Sequence, residues 1–292
     1  MVLIGENIHI ISKEVSVAIR ERDAKVIQDL AIAQAKAGAH YLDLNLGPCK
    51  KDPEEVASWV VNIVQEVTDL PLSIDTMNPV AMEAALKVCK KRPLLNSCSG
   101  RTDSKELMMP LVKKYSTDVV VSVLTDKGCP PDVDARVESI IETVAYANDF
   151  GIPNEDIWVD PIILPVSADQ THAVADLEFI RILPDLLPDV KSTVGLSNVS
   201  NGTPDELRGI INCTYMVMLA RYGIYSAIVD VLDNELVRLD KGELPDIVNI
   251  IHKAMDGETI DISSLSQKEQ NYVKTAKVLQ QETLYSHAWL ES

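Results

Sequence analysis

Apolar runs of strand length alternate with longer amphipathic stretches over most of this chain. The strand candidates are VLIGENI (2–8), YLDLNLG (41–47), LPLSIDT (70–76), LLNSCS (94–99), DVVVSVLT (118–125), IWVDPII (157–163), STVGLSNV (192–199) and YSAIVDVL (225–232). Most are continuously apolar before a polar end, as parallel strands covered on both faces are. Between them the apolar period lengthens to that of a helix. The predicted helices span 24–39 (closing on Gly38), 52–67 (Asp52 as N-cap, Pro53 in the first turn), 78–91, 104–115, 133–151, 169–183 and 203–223. An eighth is expected in one piece from near Asn234 to about Met255.

Eight strands, each followed by a helix, over about 255 residues predict an α/β fold, the (β/α)8 TIM barrel. A doubly wound sheet is the competitor. It usually places a Gly-rich phosphate turn after its first strand, and GENIHIIS has none. The expected division is a barrel over 1–255 and a C-terminal helical extension over 256–292, where QKEQNYVKTAKVLQQETLYSHAW keeps a helical spacing. That tail either wraps the barrel or meets a subunit, unless it is only loosely held.

Charge narrows the partners. Asp and Glu outnumber Lys and Arg by 44 to 27, a net −17, which argues against nucleic acid or an anionic membrane as a partner. No apolar run is long enough to span a bilayer, and the N-terminus reads as a strand rather than a signal peptide. The five scattered cysteines form no CxxC pair, which points to a reducing cytoplasm.

Chemistry in such barrels gathers at the C-terminal ends of the strands, which here carry Glu6, Asn7, Asp43, Asn45, Asp75, Asn96, Thr125, Asp160, Asn198, Asp230 and Asp233. Singly, each could cap a helix or seed a turn, and Asp43 with Asn45, ahead of Gly47 and Pro48, reads equally as a turn. Together they describe a cup of carboxylates and amides with few cations. A Schiff-base lysine is missing from the strand ends, and the five histidines form no HxH or HxxxH pair, although His9 and His172 are placed to approach the mouth. Asp43, Asp75 and Asp160 leave a Mg²⁺ site open. The remaining ligand class is a neutral heterocycle with donors and acceptors on one edge: a pterin, a purine or a pyrimidine.

The ordered motifs LDLNLGP (42–48), SIDTMN (73–78), LLNSCSG (94–100), DPIILPV (160–166), GLSNVSNG (195–202) and AIVDVLD (227–233) resemble the pterin-binding methyltransferases. Within that group the chain is most similar to the methyltetrahydrofolate:corrinoid protein methyltransferases, relatives of the folate module of cobalamin-dependent methionine synthase. The resemblance implies a homodimeric TIM barrel that takes 5-methyltetrahydrofolate or tetrahydrofolate as substrate. Carried over by motif, Asp75, Asn96 and Asp160 bind the aminopyrimidinone edge and Asn198 reaches N5. Gly195 and Ser197 let the backbone approach the ring, while Asn201 and Arg208 touch the ligand's periphery. No metal ligand is implied.

The reaction so implied is displacement of the N5-methyl group by Co(I) of a corrinoid, or its reverse. Asn198 cannot titrate, but its amide can donate to N5 or accept from a protonated N5, and Asp160 is the expected tuning group. The chain has no DxHxxG cobalamin signature, so the corrinoid must arrive on a partner protein. The alternatives are a non-catalytic folate-binding subunit, a dihydropteroate synthase-like enzyme and a Mg²⁺-dependent barrel lyase.

Overall fold

The computed structural model describes residues 1–291. Its eight strands are β1 (Val2–His9), β2 (Tyr41–Asn45), β3 (Leu72–Asp75), β4 (Leu94–Ser99), β5 (Asp118–Ser122), β6 (Ile157–Asp160), β7 (Lys191–Ser192) and β8 (Ser226–Val229). They form one parallel sheet in the order β7-β6-β5-β4-β3-β2-β1-β8. The seam between β7 and β8 is joined by a single parallel bridge, Gly195 to Ile228, and by the Ser226 hydroxyl donating to the Ser192 carbonyl (3.1 Å). The result is the expected TIM barrel, nearly closed.

The helices are α1 (Lys13–Glu21), α2 (Ala24–Ala37), α3 (Pro53–Gln65), α4 (Pro79–Val88), α5 (Thr102–Tyr115), α6 (Val133–Asp149), α7 (Gln170–Leu186), α8 (Asp205–Arg221), α9 (Asn234–Asp240), α10 (Pro245–Met255) and α11 (Gln267–Leu279). Four details depart from the sequence reading. Helix α1 is additional. Strand β7 pairs over two residues only, and beyond the bridge at Gly195 the residues Leu196–Ser200 coil into a 3-10 turn. The eighth helix splits into α9 and α10 at Gly242 (φ 71°), with Pro245 restarting it. Asp52 does precede α3, but in a left-handed conformation (φ 47°) and without a side-chain capping bond.

The barrel interior explains where the site must lie. Ile4, Leu94, Val120 and Trp158 pack together inside the strands, separate from the main core between sheet and helices. At the N-terminal end the indole of Trp158 meets the rings of Tyr41 (5.6 Å) and Tyr225 (5.2 Å) edge-on, and the Lys191 ammonium lies 5.4 Å from its centroid. This end is plugged. Two residues further along the same strands, the inward positions turn polar: Ile4 gives way to Glu6, Tyr41 to Asp43, Leu94 to Asn96, Trp158 to Asp160 and Ile228 to Asp230. The open end is therefore the C-terminal one.

The tail is packed. Helix α11 begins with a capping box, Ser266 with Glu269, and buries Tyr272, Val273, Ala276 and Leu279. Beyond it the chain crosses the entrance to α7 and α8, where Gln170 bonds the carbonyls of Val278 (2.8 Å) and Thr283 (2.9 Å). The Tyr285 hydroxyl shares a hydrogen bond with Thr203 (2.7 Å). No helix among the described residues is long and apolar enough to cross a membrane.

Candidate active site

The cup at the C-terminal mouth has a volume of about 520 Å³. All eight residues expected at the site line it: Asp75, Asn96, Asp160, Gly195, Ser197, Asn198, Asn201 and Arg208. The wall also contains Glu6, Asn7, His9, Asp43, Asn45 and Asp230, so five carboxylates face one guanidinium. Thr125 turns away to bond the Gly128 carbonyl (3.1 Å), and Asp233 caps α9. Among the described residues no three His, Cys, Asp or Glu side chains converge as metal ligands would.

Hydrogen bonds order the floor. Asp43 is buried (3% exposed) and accepts from the Ser73 hydroxyl (2.6 Å) and the Asn96 amide (3.1 Å). The turn reading of Asp43 is thereby corrected, since its side chain fixes the Asn96 amide. Asn45 does both jobs: its side-chain Oδ1 accepts from Gly47 N (3.1 Å) while its Nδ2 donates to Asp75. Asp160 accepts from Ile162 N (2.8 Å), which aims its carboxylate. The Asn96–Ser97 peptide is cis.

The opposite wall comes from β1, β8 and the loop before α8. A register shift between Gly5 and Ile8 brings consecutive residues, Glu6 and Asn7, to the cup. Gln34, buried on α2, accepts from Asn7 N (3.0 Å) and stands where a Cβ on Gly5 would lie, 2.3 Å away. The Asn7 amide donates to Asp230 (2.8 Å). The Ser197 hydroxyl donates to Glu6 (2.6 Å), a contact past β8 within this wall that motif reading did not reveal.

Arg208 is a brace rather than an exposed helix residue. Its guanidinium donates to the Ser200 hydroxyl (3.1 Å), the Ser197 carbonyl (3.4 Å) and the Asn201 amide oxygen (3.3 Å). The Asn201 side-chain amide in turn donates to Asn198 Oδ1 (3.2 Å), while the Asn198 Nδ2 has no protein acceptor among the described residues. A Cβ on Gly195 would lie 3.0 Å from that Nδ2, so glycine keeps the amide's place open.

Burial raises the pKa of four of these carboxyls, Glu6, Asp43, Asp75 and Asp160. It lifts Glu6 from 4.5 to about 7, against the opposing Ser197 hydrogen bond, with Asp230 and Asp43 adding repulsion. Burial likewise raises Asp160 from 3.8 to about 6, partly offset by the Ile162 N–H, and raises both Asp43 and Asp75. Burial lowers His9, whose Nδ1 accepts from Ser12 N (3.2 Å). His172 does not reach the cup; it stands against the buried Arg136 (2.9 Å), which pairs with buried Asp176 (3.2 Å) behind β6.

The pterin-binding enzyme family matches residues 12–230. Over 242 residues the chain is 32% identical to a methylcorrinoid:tetrahydrofolate methyltransferase of Eubacterium limosum, covering 81% of this chain and 88% of that protein. It is 25% identical over 228 residues to a methionine synthase of Mycobacterium tuberculosis, 75% of this chain but 19% of the larger protein. Among solved structures, dihydropteroate synthase from Stenotrophomonas maltophilia superposes with a TM-score of 0.63 at 17% identity, covering 85% of this chain and 92% of that one. The Xanthomonas albilineans dihydropteroate synthase bound to 7,8-dihydropteroate gives 0.57 at 18% identity, with 82% and 92% covered. Those two likenesses speak to the fold. The family's match across the barrel and the 32% relative together show that this chain belongs to the pterin-binding enzymes.

Proposed function

We propose that the chain is a methyltransferase that moves a methyl group between N5 of tetrahydrofolate and the cobalt of a corrinoid carried by a partner protein. The 32% identical relative supports the direction from methylcorrinoid to tetrahydrofolate. The observation that carries the reading is one cup in which Asp75, Asn96 and Asp160 face the free amide of Asn198. A carboxylate and a carboxamide there match the N–H and carbonyl groups of an aminopyrimidinone, and each charge-assisted bond contributes about 1.5–3 kcal/mol. In this reading residues 1–255 are the catalytic barrel, 256–292 an appended tail, and the protein acts as a cytoplasmic homodimer.

In the transfer, the N5 lone pair forms the new bond to the methyl carbon while the cobalt–carbon bond breaks and leaves its electron pair on cobalt. The N5 proton must then leave; in the reverse direction one must arrive. Asn198 holds N5 by hydrogen bonding and does not take the proton. Glu6, tied to the neighbouring Ser197 and poised near neutrality, is the group we assign as proton acceptor. Asp160 both binds the pyrimidine edge and tunes its protonation.

The test is to mix the protein with tetrahydrofolate and methylcobalamin, follow the visible spectrum, and measure folate binding separately. Loss of the methylcobalamin spectrum with formation of 5-methyltetrahydrofolate supports the enzyme. Folate binding without turnover of either free or protein-bound methylcorrinoid would leave a carrier subunit instead, and no binding would overturn the pterin reading.

A further inference from the structure

Beside the acidic cup lies a groove of about 360 Å³ with the opposite character. Ile10, Leu46 and Val56 line its floor, and Arg20, Arg22, Lys50 and Lys51 its edge. In a chain of net charge −17 that concentration of cations stands apart. Arg22 is committed to Glu55 (2.8 Å) and to the face of Trp59, and Arg20 pairs with the exposed Glu21 (3.2 Å). Lys50 and Lys51 are exposed and form no ion pair among the described residues, although Asp52 follows them.

The groove adjoins the cup through two segments. His9 and Ile11 line the cup while Ile10 between them lines the groove, and Asn45 and Leu46 divide in the same way. Ile11 stands at the rim, 85% exposed.

We infer that this groove holds the p-aminobenzoyl oligo-γ-glutamate tail of the folate, with Lys50 and Lys51 receiving its carboxylates. The inference rests on the folate reading above and follows from the circular order of the strands. An aminopyrimidinone edge held by β3, β4 and β6 directs the far side of the pterin towards β8 and β1, the strands opposite β4 and β5. The tail leaves the pterin on that side, beside N5. It needs an apolar strip for its ring and then cations for its carboxylates, which repel the cup's own. Ile11, Ile10 and the two lysines supply these in that order. The other large cleft on this face, around Thr125–Pro131, lies on the pyrimidine side, and its Lys105 is already paired with Glu142 (2.9 Å).

The test compares the wild-type protein with a Lys50→Glu, Lys51→Glu double variant of unchanged melting temperature. Binding of p-aminobenzoyl-tri-γ-glutamate alone, measured by calorimetry at low salt, should weaken about tenfold or more in the variant. The KM for folate triglutamate should lie about fivefold below that for the monoglutamate in wild type and become equal to it in the variant or at high salt, with monoglutamate kcat unchanged. No binding of the fragment to wild type, equal binding to both proteins, or an unaltered KM ratio would overturn the inference. Absence of monoglutamate turnover in wild type would count against the methyltransferase reading, and the fragment titration would still decide the groove.

Discussion

Replacing Glu6 by Gln separates what this carboxyl costs the fold from what it does for the reaction. In the folded protein its pKa is about 7 against an ordinary 4.5. The folded state therefore binds a proton that the unfolded chain has released over this interval, so stability falls as pH rises from 4.5 through 7. The difference between 4.5 and about 7 corresponds to about 3 kcal/mol of stability missing at pH 8 and present at pH 4. Gln keeps the shape and an acceptor for the Ser197 hydroxyl but never carries the charge. Glu6→Gln should consequently melt with wild type at pH 4 and roughly 5 °C above it at pH 8. Methyl transfer to tetrahydrofolate should rise about tenfold in wild type between pH 6 and pH 8, as Glu6 ionises. The variant should lose on the order of 100-fold in kcat and that pH dependence with it. Thermal melts at both pH values and a pH–rate profile are sufficient. A stability difference independent of pH, or a variant that retains the wild-type profile, would refute the assignment.

Other expectations follow from the same geometry. Asn198→Ala should lower kcat about 100-fold while tetrahydrofolate affinity changes less than about threefold; equal losses in titration and turnover would remove its role in the transition state. In Gly195→Ala the new methyl would sit 3.0 Å from the Asn198 Nδ2, so kcat should fall about tenfold at unchanged melting temperature, with no additional loss when combined with Asn198→Ala. Trp158→Ala empties the plugged end of the barrel, where the indole also donates to Asp118 (3.2 Å). It should cost about 3–5 kcal/mol in denaturant unfolding, and a cost below 1 kcal/mol would contradict the packing described for that end.

The barrel was legible because its parallel strands are covered on both faces and read as apolar runs that end in polar residues. The polar strand ends also pointed to the cup, since Glu6, Asn7, Asp43, Asn45, Asp75, Asn96, Asp160, Asn198 and Asp230 all line it, but not to how those side chains bond one another. A strand buried on both sides has no polar face, so the inward phase that places Glu6 after Ile4 and Asp43 after Tyr41 emerges only once neighbouring strands are aligned. Asp43 illustrates the difficulty: Gly47 and Pro48 give it turn-like company, yet its partners are Ser73 and Asn96, far away in sequence. Strand β7 failed for the opposite reason, since STVGLSNV has the composition of a strand but only Lys191–Ser192 pair as one, and Leu196–Ser200 coil into the 3-10 turn that carries Asn198. The break between α9 and α10 was available in KGELP, where a left-handed glycine precedes a helix-starting proline. Arg136 was not available at all. On an amphipathic helix an arginine reads as solvated, and only tertiary packing sets it against Asp176 inside the protein.

Methyl transfer at N5 of tetrahydrofolate is the reaction proposed for this cup. Its most direct test is a single-turnover reaction of the protein with tetrahydrofolate and methylcobalamin carrying a 13C-methyl group, read by 13C NMR. The labelled carbon should move from its cobalt-bound resonance to that of an N5-methyl group, in wild type and far more slowly in Asn198→Ala. A label that stays on cobalt while tetrahydrofolate is bound, or transfer at equal rates in both proteins, would contradict it.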